Sequence, residues 1–176
     1  MPSFITEFFR SRALRRDASP VPTGFAPLSR VRKAAVFVDG SAPDGGRVIS
    51  AVRAWFDAQG KEVSVYVLNL SDVQFLGEGP LQAAFLHKKD VNWYGRIRRR
   101  RRTPQVDRDV DLFISLIPEP HFAVLHAAVS SRAVFKVGRS DTPEQLFDLV
   151  VRDRDGQPSS QGEVFSTITG ILEKVQ

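Results

Sequence analysis

The chain of 176 residues contains no cysteine, three histidines and a single methionine. The absence of cysteine excludes a disulfide-stabilised scaffold, a thiolate nucleophile, and any zinc or iron–sulfur site with cysteine ligands. No hydrophobic run approaches the roughly 20 residues that a membrane-spanning helix needs. The N-terminus also lacks the apolar core of a secretory signal peptide, so the sequence predicts a cytoplasmic protein without a transmembrane segment.

The overall composition is that of a folded domain. Hydrophobic residues make up 42% of the chain and charged residues 26%, which excludes an intrinsically disordered protein. A chain of this length buries about two-thirds of its unfolded surface, so its core needs neither a metal nor disulfides. We expect a basic amphipathic arm and a proline-rich linker over residues 1–30, followed by one α/β domain over residues 31–176.

Positive charge is concentrated in two short segments, although the formal net charge is only +5. Residues 1–33 carry seven basic and two acidic side chains, and residues 86–108 carry nine basic and two acidic ones. The remainder of the chain carries nine basic and sixteen acidic side chains. If charge selects a partner for this protein, it therefore acts through these two segments and not through the acidic body.

Strand and helix patterns alternate along the domain. Short apolar runs rich in β-branched and aromatic residues predict strands, and apolar residues spaced by three or four predict helices. The strand patterns cover residues 34–38, 62–68, 83–87, 111–117, 134–137 and 146–151, and the helix patterns cover residues 46–59 and 119–131. A final helix begins at the capping box Ser160-x-x-Glu163. This alternation predicts a mainly parallel, Rossmann-like sheet of five or six strands with helices on both faces.

The N-terminal arm, residues 3–16, has the pattern of a short helix. Its apolar residues fall on one side, and its arginines gather in the C-terminal half, where cations suit the helix dipole. Three interpretations stay open: the arm lies on anionic lipid, docks into a groove of a protein partner, or packs on its own domain. The candidate partner-docking residues are Phe4, Ile5, Phe8, Phe9, Arg12 and Arg16.

The basic segment within residues 88–108 is predicted to be an exposed loop. Its five consecutive arginines cannot be buried without partners. Guanidinium groups bind phosphates with paired hydrogen bonds, and the aromatic residues before them can stack on bases. This combination favours RNA, a ribosome or another polyanion as partner, while the simpler interpretation is a solvated loop that serves solubility. The candidate polyanion-binding residues are Lys88, Lys89, Trp93, Tyr94, Arg96, Arg98, Arg99, Arg100, Arg101 and Arg102.

A second candidate site lies at the carboxyl ends of two predicted strands, where open α/β sheets bind ligands. The glycine-rich turn after the first strand departs from a P-loop, because Gly46 and Arg47 stand where Lys and Ser/Thr are required. The simpler interpretation is a flexible turn with Asp44 as the cap of the next helix. The alternative function is a nucleotide- or sugar-phosphate-binding enzyme, and its candidate ligand-binding residues are Asp39, Gly40, Ser41, Arg47, Ser115 and His121.

No catalytic constellation in the sequence is complete. His121 and His126 are five residues apart, so they do not share a helix face as a metal-binding pair would. We therefore assign no catalytic residue, no metal ligand and no cofactor, and we expect a binding protein rather than an enzyme. A structural adaptor that docks a protein through its phenylalanine-rich arm is a further alternative.

Three stretches resemble an uncharacterised family of small Bacteroidota proteins, a domain of unknown function. They are residues 85–95 (FLHKKDVNWYG, with a K-D-x-N-W-[FY]-G element), 111–116 (DLFISL) and 133–138 (AVFKVG). The resemblance implies a bacterial, cytoplasmic protein and carries over no activity or site residue. More faintly, residues 111–138 are similar to part of the N-terminal Rossmann-like half of heptosyltransferase-type glycosyltransferases, which would imply at most a half-fold at this chain length.

Overall fold

The computed structural model describes residues 3–71, 75, 82–119, 121–142, 145–153 and 157–174. These residues form four α-helices and six β-strands. The helices are α1 (Ser3–Asp17), α2 (Gly45–Ala58), α3 (Phe122–Ser130) and α4 (Gln161–Leu172). The strands are β1 (Lys33–Asp39), β2 (Glu62–Asn69), β3 (Ala84–His87), β4 (Leu112–Ser115), β5 (Phe135–Gly138) and β6 (Leu149–Val150).

All six strands belong to one parallel sheet with the order β3-β2-β1-β4-β5-β6. The central strand β1 pairs with β2 from Lys33 opposite Glu62 to Asp39 opposite Leu68, and with β4 on its other side. The chain thus builds the sheet outward from β1 in one direction and then returns to β4 to build the other half. This is the strand order of Rossmann-type folds, and it confirms the predicted α/β class with a parallel sheet.

Both faces of the sheet are covered, and the alternation of side chains along β1 separates two cores. Val36 belongs to the core beneath α2 and α4, whereas Phe37 belongs to the core beneath α3. The second core also contains Val91 and Val110 from the segment that connects β3 with β4. This segment lies over the sheet beside α3, where doubly wound folds usually place a helix, and α1 packs against α3.

Local signals in the sequence mark the start of α4 and the end of α2. The capping box at α4 is complete, since the Glu163 backbone N–H donates to Ser160 Oγ at 3.2 Å and the Ser160 N–H donates to Glu163 Oε2 at 2.8 Å. Helix α2 is followed by Gly60 with φ of +64°, a left-handed conformation in which glycine carries no steric cost.

Several elements are shorter than their sequence patterns predict: β4 spans Leu112–Ser115 and not 111–117, β3 begins at Ala84 and not at residue 83, and β6 and α3 differ more. Strand β6 spans two residues and not 146–151. Just before it, the Asp148 carboxylate accepts the Lys136 N–H at 2.8 Å, and the Asp148 N–H donates to the Lys136 carbonyl at 2.8 Å. Helix α3 begins at Phe122 and not at residue 119. Here the His121 ring is the cap, because its Nδ1 accepts the Ala123 N–H at 3.1 Å.

Gln161, the first residue of α4, fastens this helix to the end of β1. Its side chain is 2% exposed. Its Oε1 accepts the Asp39 N–H at 2.7 Å, while its Nε2 donates to the Asp39 carbonyl at 3.2 Å and to Asp44 Oδ1 at 3.3 Å. One buried amide therefore joins α4, β1 and the turn before α2.

We predict that Gln161→Ala lowers the free energy of unfolding by about 1–3 kcal/mol, because it leaves the Asp39 N–H without its partner. Urea denaturation of the variant and the wild type measures the difference. The matched control is Gln59→Ala, since Gln59 is exposed and only its backbone caps α2. Equal losses in the two variants would contradict this role of Gln161.

Candidate functional site

The turn after β1 is closed by the chain's own groups. Asp39 Oδ1 accepts from the Ser41 N–H at 2.8 Å and from Ser41 Oγ at 2.6 Å. Asp44 makes no side-chain cap on α2, contrary to the sequence interpretation; its Oδ2 accepts the Gly162 N–H of α4 at 3.1 Å. A Cβ on Gly40 would lie 2.8 Å from Val67 Cγ1. Glycine at this position therefore allows close packing against β2.

Within the described residues, the other candidate ligand-binding residues make no hydrogen bond to the side chains of Asp39 or Ser41, although Ser115 lies opposite Phe37 on the strand next to β1. Ser115 is buried within β4, and Arg47 is exposed on α2. His121 caps α3, and its ring Cε1 would lie 3.6 Å from a Cβ on Gly95, so it faces the basic loop. The structure brings Asp39 and Ser41 together but does not join His121 to them. The nucleotide-binding alternative stays a prediction, and this geometry does not favour it.

A buried aspartate organises the start of the basic loop, which we define as residues 88–108. Asp90 is 6% exposed. Its Oδ2 accepts the His87 N–H at 3.0 Å and its Oδ1 accepts from Thr103 Oγ1 at 3.1 Å. The Asp90 carbonyl accepts the Arg98 N–H at 2.7 Å. These bonds hold both ends of residues 90–103 together, so the loop has a defined backbone path.

Asn92 and Gly95 form the tight turn inside the loop. Asn92 Oδ1 accepts the N–H groups of Tyr94 at 3.2 Å and Arg96 at 2.9 Å. The Asn92 N–H donates to the Arg96 carbonyl at 2.9 Å. Gly95 has φ of +95°, which side chains with a Cβ rarely adopt. The D-x-N-W-Y-G part of the sequence element is therefore the set of residues that folds this turn and presents Trp93.

On both sides of this turn in the sequence, the loop carries exposed cations. Arg98 is partly buried, and its Nε donates to the Val91 carbonyl at 2.8 Å. Within the part of the chain that the structure describes, the remaining exposed cations have no carboxylate at ion-pair distance. These exposed cations are Lys88, Lys89, Arg99, Arg100, Arg101 and Arg102.

The arm is docked on its own domain beside this loop. The Phe9 ring lies 5.1 Å from the Trp93 ring and 6.0 Å from the Tyr94 ring, measured between centroids. Arg10 Nε donates to the Tyr94 carbonyl at 2.9 Å, and its guanidinium lies 5.3 Å from the centre of the Phe122 ring. The arm thus contacts both the loop and α3, as the simplest of the three interpretations predicted.

The proline-rich segment after α1 also lies on the domain. The Ser19 N–H donates to the Val129 carbonyl and the Gly24 N–H donates to the Val134 carbonyl, each at 2.9 Å. The Phe25 ring lies 4.8 Å from the Phe135 ring. These contacts fix a segment whose composition alone predicts an extended linker.

The outer side of α1 carries apolar residues that nothing in the described structure covers. Phe4 is 78% exposed and Phe8 is 55% exposed, while Ala13 is the residue of α1 that is buried. Ile5 and Phe9 are also largely exposed, as is Arg12. Docking of a partner by these residues stays a prediction. Among the described residues, no helix, α1 included, has the length and hydropathy that spanning a membrane requires.

Asp17, at the end of α1, binds the arm to the loop and to α3 at once. Its Oδ2 lies 2.7 Å from Arg96 Nη2 and 2.9 Å from His126 Nε2, and its Oδ1 lies 3.1 Å from Arg16 Nε. Burial alone would raise the pKa of the Asp17 carboxyl, but these hydrogen bonds and the charge of Arg96 hold it well below its usual range. The sequence gives no local signal for this role, because Asp17 sits at the start of an apparent linker.

Arg108 and His126 complete a cationic cluster around Asp17. Burial lowers the pKa of Arg108, and the positive charges of Arg99 and Arg96 lower it further, against the attraction of Asp17. Burial also lowers the pKa of His126, although its hydrogen bond to Asp17 opposes this. His126 is therefore neutral at neutral pH, and Asp17 is the carboxylate that faces these guanidinium groups.

Comparison with protein families gives a match to the family of unknown function DUF6913 over residues 4–163. The chain belongs to this family. The match covers all but the first residue of the α1 helix, the basic loop and the whole sheet, and it confirms the resemblance to an uncharacterised domain family. Neither the curated proteins nor the solved structures give a match. Bacterial origin and the fainter glycosyltransferase likeness stay predictions.

For the DUF6913 chain, we predict that Asp17→Ala loosens the arm, because it leaves Arg96 and His126 without their shared acceptor. Hydrogen exchange of the α1 amides, followed by mass spectrometry, should become at least about tenfold faster, as expected for the loss of a charged hydrogen bond. Glu7→Ala is the matched control, since this exposed acid of α1 pairs only with Arg10. Unchanged exchange in Asp17→Ala would show that the aromatic contacts alone hold the arm.

We also predict that the DUF6913 protein loses stability as the pH falls from about 7.5 towards 5.5. Burial and the nearby Arg10 lower the pKa of His121, and burial lowers that of His126. The unfolded chain then binds protons near pH 6.5 that the folded chain does not, so acid favours unfolding. His121→Asn keeps a side-chain acceptor for the Ala123 N–H and should reduce the slope of stability against pH. A slope equal to that of the wild type would exclude His121 as a source.

Proposed function

We propose that this protein binds single-stranded RNA through the basic loop and that it acts as a binding protein without catalysis. The observation that carries the proposal is the group of six exposed cations at Lys88, Lys89 and Arg99–Arg102, which form no ion pair with another described residue. Like charges at this density repel one another, and the phosphates of a bound strand relieve that repulsion while releasing counterions.

The fixed backbone of the loop supports binding over a role in solubility alone. A disordered polycation loses conformational entropy when it binds a ligand, and this loss weakens binding. Here Asp90 and Asn92 hold the loop by side-chain hydrogen bonds, and the arm braces it through Tyr94. The cations are thus held on a preorganised surface, which reduces the entropic cost of binding.

The single-stranded form is favoured by the aromatic residue next to the cations. Trp93 is 50% exposed although it contacts Phe9, so part of its ring is open to a base. Stacking of a base on an aromatic ring contributes about 1–3 kcal/mol and requires a base that is free of its own helix. Tyr94 is less exposed than Trp93 and stacks on Phe9, so Trp93 is the better stacking residue.

A salt titration of binding to a single-stranded RNA oligonucleotide tests this function. The affinity should fall with salt, with a slope of about −0.7 for each phosphate contact. Replacing Arg100, Arg101 and Arg102 by Gln should weaken binding and reduce the magnitude of that slope by about 2. A duplex of the same sequence should bind more weakly, because its bases cannot stack on Trp93.

A matched variant separates a local effect from one of net charge. Arg30, Arg32 and Arg47 are exposed, lie away from the loop in sequence, and have no ion pair among the described residues. Their replacement by Gln removes the same charge and should leave most of the affinity. Equal losses in the two triple variants, or binding that does not respond to salt, would contradict the proposal.

A further inference from the structure

A small cavity lies between the basic loop and α3, on the inner side of the exposed cations. Its volume is about 50 Å³. The charged and polar residues that line it include Arg96, Arg99, Arg108, His126 and Ser130. We propose that this cavity is a binding site for a phosphomonoester group, and this inference does not rest on RNA binding by the outer surface of the loop.

The charges around the cavity favour a dianion. Three arginines, Arg96, Arg99 and Arg108, line it, and Asp17 is the carboxylate that pairs with one of them. His126 is uncharged at neutral pH, because burial lowers its pKa. The balance is a net charge near +2, which a phosphomonoester, with about −1.5 to −2 at pH 7, matches better than a phosphodiester.

Arg108 is the residue that most clearly lacks a partner. It is partly buried, and within the described residues its guanidinium makes no ion pair and donates no hydrogen bond. The charges of Arg99 and Arg96 repel it, and the charge of Asp17 attracts it. A partly buried cation without a direct partner costs stability, and an anion placed in the cavity would reduce that cost.

The size of the cavity limits what part of a ligand enters it. The cavity exceeds the space that a single water requires, so it has room for a small group such as a phosphate. It is too small for a sugar or a base. Arginine side chains bind phosphate oxygens with paired hydrogen bonds, and the described residues place three of them here.

The remainder of the ester has room in a neighbouring depression. This wider depression has a volume of about 510 Å³, within the range of small-molecule sites, and it shares Arg108 and Ser130 with the cavity. Its other walls come from residues 17–20, Asp109 and Arg132. A phosphomonoester can therefore place its phosphate in the cavity and the rest of the molecule in the depression. Both a free phosphorylated metabolite and the phosphorylated end of an RNA strand carry such a group.

Thermal unfolding of the full chain at constant ionic strength tests the site. Inorganic phosphate and adenosine 5′-monophosphate, at several times their Kd, should each raise the melting temperature by about 2–4 °C, whereas adenosine should not. A 5′-phosphorylated RNA oligonucleotide should give a larger shift than the same 5′-hydroxyl strand if strand ends are the source. If free metabolites are the source, adenosine 5′-monophosphate should give the largest shift.

The decisive variant is Arg108→Gln. Without ligand it should melt at the same temperature as the wild type or higher, because the change removes an uncompensated charge. The shift caused by phosphate should disappear, with a Kd at least about tenfold weaker. The matched control is Arg30→Gln, which removes the same charge from an exposed residue that does not line the cavity, and it should keep the shift.

Two results would overturn the proposal. One is an undiminished phosphate shift in Arg108→Gln, which would place the anion elsewhere. The other is a shift with adenosine equal to that with its monophosphate, which would show that the phosphate is not what the protein recognises. Loss of RNA binding in the triple loop variant, with the phosphate shift retained, would leave this site intact and separate it from the proposed function.

Discussion

One carboxylate, that of Asp17, holds together the parts of the molecule that carry its positive charge. It ends α1 and accepts from Arg96 of the basic loop and from His126 of α3. Without this anion Arg96 would be an unpaired charge in a partly buried place, which costs several kcal/mol. The arm, the loop and α3 therefore form one cationic face, and Asp17 compensates part of the charge of that face.

The sheet determines where that face lies. The segment between β3 and β4 crosses the sheet beside α3 as a loop, and Val91 and Val110 fasten it to the same core as Phe37. In most doubly wound folds a helix takes this position, and ligands bind at the carboxyl ends of the strands. In this chain the Gln161 side chain already binds the N–H and the carbonyl of Asp39 at that edge, whereas the exposed cations lie on the loop that packs beside α3.

The sequence predicted the features that depend on neighbouring residues. The capping box at Ser160, the glycine stop at Gly60 and the concentration of charge in residues 86–108 all follow from local pattern. Long-range pairings gave no such signal. Nothing in the sequence indicates that Asp17 meets His126, 109 positions away, or that Arg108 turns inward while Arg101 stays exposed. Such contacts depend on strand order, which sequence periodicity does not determine.

Photo-crosslinking tests the central claim, that the loop face is where this protein binds RNA. A single-stranded RNA oligonucleotide that carries 4-thiouridine would be irradiated with the full chain, and the cross-linked peptides identified by mass spectrometry. We expect cross-links at Trp93 and within residues 96–108, and their loss at high salt, because the contacts are electrostatic. Cross-links concentrated at residues 39–47, or spread evenly over the surface, would contradict the account.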